Sequence, residues 1–69
     1  MLTLRKARAL ISPGDVVFSV CGGEIVEHIV QKIRTEYIES DLDCLFYDEC
    51  PGMWFLTLRG ALDSIGRKE

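Results

Sequence analysis

The middle of this chain lacks basic residues altogether. Between Thr35 and Leu58 there is no lysine, arginine or histidine, while six acids stand there: Glu36, Glu39, Asp41, Asp43, Asp48 and Glu49. The net charge is only −3, which argues against a protein built mainly to hold nucleic acid through phosphate contacts. Long apolar runs are missing too. None approaches the roughly 20 residues of a membrane helix, and the basic start (Arg5, Lys6, Arg8) is not followed by a signal-type apolar block. The expectation is a cytoplasmic chain with no membrane partner.

Histidine occurs once, as His28, and no glycine-rich segment opens a helix. No Ser-His-Asp or Cys-His arrangement and no phosphate cradle can therefore be placed along the chain, and the expectation is a protein that is not an enzyme. His28, flanked by Val26 and Val30, is predicted to be a surface residue of a strand. The cysteines are few and odd in number, Cys21, Cys44 and Cys50, at spacings that fit no disulfide framework but suit a reducing compartment. With His28 they would complete a Cys3His set, yet structural zinc ligands come as close pairs roughly two to four residues apart, and no such pair exists. Free, semi-buried thiols are the expectation. The acids around Asp41 and Asp43 lack the glycine and terminal glutamate of a calcium loop, so neither metal nor cofactor is expected.

What is present is enough for one folded domain over residues 1–69, with 48% of residues apolar and 28% charged. A domain this small buries only about 60% of its unfolded surface, so its stability is marginal. Ser12, Pro13 and Gly14 signal a turn, and Val16, Phe18 and Val20 then alternate with Val17, Ser19 and Cys21, the period of a strand. Gly22 and Gly23 tolerate the positive φ of a two-residue hairpin. The next stretch, Glu24 to Ile38, is ambiguous: Ile25, Ile29, Val30, Ile33 and Tyr37 also fall at helical spacing. The β-branched residues and the hairpin glycines favour one long strand, bent so that it serves both halves of a small barrel. After a polar link from Glu39 to Asp43, the segment 44–48 reads as a short aromatic strand with Leu45 and Tyr47 on one face and Phe46 on the other. Pro51 and Gly52 turn the chain into a last strand, Met53 to Leu56.

Thr57 is a good N-cap for a closing helix, in which Leu58, Ala61, Leu62 and Ile65 share a face and which Gly66 ends, with Arg67 and Lys68 favoured at its negative terminus. The division is therefore 1–13 as an amino-terminal segment, helical or swapped, 14–56 as β-sheet and 57–66 as helix. The fold class is mainly β: a curved antiparallel sheet or SH3-like small barrel closed by a short C-terminal helix. One core is expected from Val16, Phe18, Val20, Ile29, Ile33, Leu45, Phe55, Leu62 and Ile65. Residues 2–10 also echo residues 56–65, with Thr3 and Thr57 in matching places, and chance similarity is the simpler account of so short a match.

Gly14-Asp15-Val16-Val17-Phe18, Gly22-Gly23-Glu24-Ile25-Val26-Glu27, Phe46-Tyr47-Asp48 and Phe55-Leu56-Thr57 with Ala61, Leu62 and Ile65 together resemble a group of small uncharacterised proteins of phages and prophages. The resemblance spans residues 14–66 and implies an SH3-like or similar small open barrel with a terminal helix; it carries no catalytic residues. Its relatives place acids in the first turn after the threonine, where Leu58, Arg59 and Gly60 stand here. That removes the capping-box partner, and Gly60 costs about 1 kcal/mol of helix propensity relative to alanine, so a shorter helix or one that leans on a partner is expected.

Two functions from different classes follow. One is a small non-enzymatic binding module that acts through protein contacts, such as an inhibitor of CRISPR interference or another host system. Its candidate contact residues are Glu36, Glu39, Asp41, Asp43, Asp48, Glu49 and Trp54, offered to a basic partner surface. The other is a nucleic-acid-associated module that uses the basic amino end and stacks bases on Phe46, Tyr47 and Trp54. The apolar excess for so small a core further predicts a homodimer, joined through Leu2, Leu4, Leu10 and Ile11 or through a Met53–Phe55 edge, with folding of these residues onto their own chain as the alternative.

Overall fold

Pairing starts from the Gly22–Gly23 turn. Both glycines take left-handed φ angles, +59° and +79°, so the chain reverses over two residues and Cys21 comes to face Glu24. This fixes the register of β1 (Val16–Cys21) against β2 (Glu24–Ile33), which pair antiparallel from Val16↔Ile29 to the turn. The far half of β2 continues past β1, changes register between Val30 and Lys32, and pairs with β3 (Tyr37–Ser40). A tight turn leads to β4 (Cys44–Phe46), and a 3-10 turn over Tyr47–Glu49 leads to β5 (Trp54–Phe55), which returns to the open side of β1. The order β4-β3-β2-β1-β5 makes a five-stranded antiparallel sheet curled into a half-barrel, mainly β as the sequence predicts. Among the described residues two seven-residue helices complete it, α1 (Leu4–Leu10) and α2 (Leu58–Ser64). The computed structural model describes residues 2–66; the expectation for Arg67 and Lys68 lies outside them.

The ambiguous stretch is β structure, as favoured, and β2 does serve both halves of the sheet. It is not one strand to Ile38, however. Arg34, Thr35 and Glu36 make a polar turn, closed by the Arg34 N–H donating to the Tyr37 carbonyl at 2.8 Å, so Tyr37–Ser40 is a strand of its own.

The core also differs from expectation. Successive strand residues point to opposite faces, and the main core takes the parity of β1 that contains Val17. It gathers Val17, Val30, Ile38, Leu45, Tyr47, Cys50 and Trp54 with Leu2, Ala7 and Ile11 from the α1 region. Phe18 lies on the other face, opposite Phe55, beneath α2, where Ala61 is fully buried and Leu62 and Ile65 are half-buried. Val16 and Ile29, a facing pair expected inside, are 41% and 48% exposed. Both parities of β1 are apolar, so the period of two could not say which face is the inner one. His28 faces Val17 across the pair and is only 4% exposed, not a surface residue.

The amino-terminal segment folds back on its own chain. The Leu2 N–H donates to the Cys50 carbonyl at 3.0 Å, and Thr3 caps α1 through its hydroxyl, which accepts from the Lys6 N–H at 3.3 Å. Thr57 caps α2 in the same way, accepting from the Gly60 N–H at 3.1 Å. The echo between the two ends is therefore one device used twice. Leu-Thr-Leu-Arg-x-Ala supplies an apolar residue before the cap, the cap itself and a fully buried alanine one turn in, Ala7 and Ala61.

Candidate functional site

The six central acids gather on the β3–β4 hairpin and its flanks. Glu36 precedes β3, and its carbonyl accepts from the Tyr47 N–H at 3.1 Å, which brings it beside Asp48. Asp41 and Asp43 occupy the hairpin turn, where their carboxylates accept from the Ile29 N–H at 2.9 Å and the Cys44 N–H at 2.7 Å. Glu36, Asp41, Asp43, Asp48 and Glu49 are all exposed. Glu39 departs from the group: it is half-buried and ion-paired with Arg34, the only such pair among the described residues. Glu39 holds the Arg34 guanidinium above its ordinary value, through the hydrogen bond first and charge second.

Trp54, a candidate contact residue, lies inside the fold. It is 0% exposed, and its indole N–H donates to the Phe46 carbonyl at 2.7 Å. That bond reaches from β5 to β4 across the gap where the half-barrel fails to close. Tyr47 is also buried, with its hydroxyl donating to the Arg34 carbonyl at 2.5 Å. Of the three aromatics considered for base stacking, only Phe46 stays exposed, packed obliquely on Tyr37 with ring centroids 5.2 Å apart. The sheet edge is correspondingly blunted at β4, since Asp43 takes the Cys44 N–H and Trp54 takes the Phe46 carbonyl.

Sequence reasoning missed a polar cluster inside the curl. Ser19 on β1, His28 on β2 and Ser40 at the end of β3 meet there: Ser19 Oγ lies 2.7 Å from His28 Nε2, and His28 Nδ1 lies 3.2 Å from Ser40 Oγ. The single hydroxyl proton of Ser40 goes to the Asp43 carbonyl at 2.5 Å. Ser40 Oγ is thus left to accept from His28, which places a ring proton on Nδ1; with that as the ring's one proton, Nε2 accepts from the Ser19 hydroxyl. Ser19 and His28 line a cleft of about 270 Å³ together with Asp43, Glu49, Leu45, Met53 and Trp54, and Ser40 meets His28 through Nδ1. Cys21 and Cys44 also border this cleft and are exposed rather than semi-buried, while Cys50 is buried and its thiol pushed up by that burial.

Comparison with protein-family models, with curated proteins and with solved structures finds no match. No helix among the described residues is long and apolar enough to cross a membrane.

Proposed function

We propose that this chain is a small binding module that acts through protein contacts, offering the acidic β3–β4 hairpin to a basic partner surface. The observation that carries the reading is that five of the six central carboxylates, those of Glu36, Asp41, Asp43, Asp48 and Glu49, are exposed and take no part in an ion pair among the described residues. Carboxylates held at the surface without a cation cost the fold self-repulsion, and a complementary positive surface removes that cost on binding. A nucleic-acid-binding groove of a host enzyme, a CRISPR effector for instance, is a surface of this kind, and the resemblance to phage and prophage proteins supports such a partner. Trp54 leaves the contact set, and Glu39 serves the fold.

The test compares the native chain with a charge-neutral variant carrying Glu36→Gln, Asp41→Asn, Asp43→Asn, Asp48→Asn and Glu49→Gln, which retains the side-chain oxygens that bond to the backbone. A protein captured from lysate by the native chain, released by salt and not captured by the variant is the expected result. Equal capture by both chains, or affinity for DNA or RNA alone, would overturn the reading.

A further inference from the structure

We infer that Ser19 is an activated nucleophile, with His28 as its general base and Ser40 as the residue that positions the base. The three side chains come from three different strands and lie in order: Ser19 Oγ is 2.7 Å from His28 Nε2, and His28 Nδ1 is 3.2 Å from Ser40 Oγ, so that with the ring proton on Nδ1 the Ser19 hydroxyl donates to Nε2. A hydroxyl is a weak nucleophile until a neighbouring base can take its proton, and a base is dependable only when a third group fixes its tautomer and ring orientation. Here the third group is itself held. Ser40 Oγ donates to the Asp43 carbonyl and accepts from the Asp43 N–H at 3.0 Å, so it has no proton to offer the ring. The ring cannot turn away, because His28 is 4% exposed.

Accessibility is the second requirement. Ser19 is half-buried and opens onto the cleft of about 270 Å³ walled by Leu45, Met53 and Trp54. That is room for a small acyl or alkyl-phosphonyl group against an apolar wall. With an activated ester, Ser19 Oγ bonds to the carbonyl carbon as its proton passes to His28 Nε2. The carbon–oxygen bond to the leaving alcohol then breaks, and His28 returns the proton to that oxygen. With an alkyl fluorophosphonate the Oγ–phosphorus bond forms, the phosphorus–fluorine bond breaks, and fluoride leaves while His28 keeps the proton.

The alkyl fluorophosphonate is the probe, and labelled positions are read by peptide mass spectrometry on the full chain. Ser12 and Ser64 lie elsewhere on the same molecule and serve as internal references. The expected result is one phosphonyl group on Ser19, formed about 100-fold faster than on the reference serines, within the roughly 10²- to 10⁴-fold that general-base help contributes. Labelling should vanish in Ser19→Ala and in urea, fall about tenfold in Ser40→Ala and return in Ser40→Thr, which keeps the positioning hydroxyl. Labelling of Ser19 no faster than of Ser12 and Ser64 would overturn the inference, and that outcome needs no variant to fold. So would a rate on Ser19 that a folded Ser40→Ala chain leaves unchanged; the three residues would then only clasp the strands.

Discussion

Tyr47 shows how one residue sets a pH limit on this fold. Burial pushes its phenol above the ordinary 10.0, with the charge of Arg8 acting weakly the other way. The folded chain keeps this proton after the unfolded chain has released it, so the stability that the neutral phenol contributes is whole below pH about 10 and falls as pH rises through the folded value. Cys50 acts in the same direction from its ordinary 9.0, raised by burial. Urea midpoints should therefore drop on going from about pH 8 to pH 11. Tyr47→Phe should flatten part of that fall and cost about 1 kcal/mol at neutral pH, because the Arg34 carbonyl loses its donor. An alkaline profile identical in the two chains would place the sensitivity elsewhere. Trp54→Phe is a second test at this scale. It leaves the Phe46 carbonyl without the indole donor across the β4–β5 gap, and a loss of about 1–3 kcal/mol is expected by urea denaturation. A tryptophan held at the surface for a partner would cost almost nothing.

At the scale of the element, the paired threonine caps decide whether two seven-residue helices exist at all, since helices this short are unstable on propensity alone. Thr3→Ala and Thr57→Ala should each lower stability by about 0.5–2 kcal/mol, measured by thermal unfolding. The α2 cap was legible because threonine before an apolar face is a start signal that needs no tertiary context. Gly60 looked like a defect for the same reason: propensity alone charges it for flexibility. In the folded chain a β-carbon there would come within 3.3 Å of both the Phe55 ring and the Thr57 hydroxyl. Glycine thus lets α2 sit close on its own sheet, with Phe55 against it. The hairpin was equally legible from two glycines, and its register held the key to the missed cluster. With Cys21 opposite Glu24, Ser19 faces Val26 and His28 faces Val17, which makes Ser19 and His28 diagonal neighbours on one face. Ser40 could not be found that way. Its approach depends on the register change between Val30 and Lys32, for which the local sequence has no marker.

The whole molecule settles where the apolar surplus goes, and this bears on self-association. Composition argued that so small a core could not enclose its apolar residues and that a second copy would cover the rest. The curled sheet instead buries residues on both faces, α1 against the inner and α2 against the outer, and draws Leu2, Ile11, Trp54 and Phe55 into its own interior. The alternative held beside the dimer, folding of the amino-terminal segment onto its own chain, is what these residues do. Of the side chains expected at the contact, Leu10 and Met53 remain outward, 62% and 60% exposed. A stable interface takes roughly 800 Å² from each partner, a large share of the 4699 Å² this chain exposes, and two separate side chains supply little of it. The expected outcome of sedimentation equilibrium at micromolar loading is one mass of 7.8 kDa. A mass of two chains would instead show that an outward apolar group such as Leu10 with the Val16–Ile29 pair is an interface. Leu10→Asp should then return the protein to a single chain while leaving the buried set intact, and the unfolding midpoint should fall by what association contributed and lose its dependence on concentration.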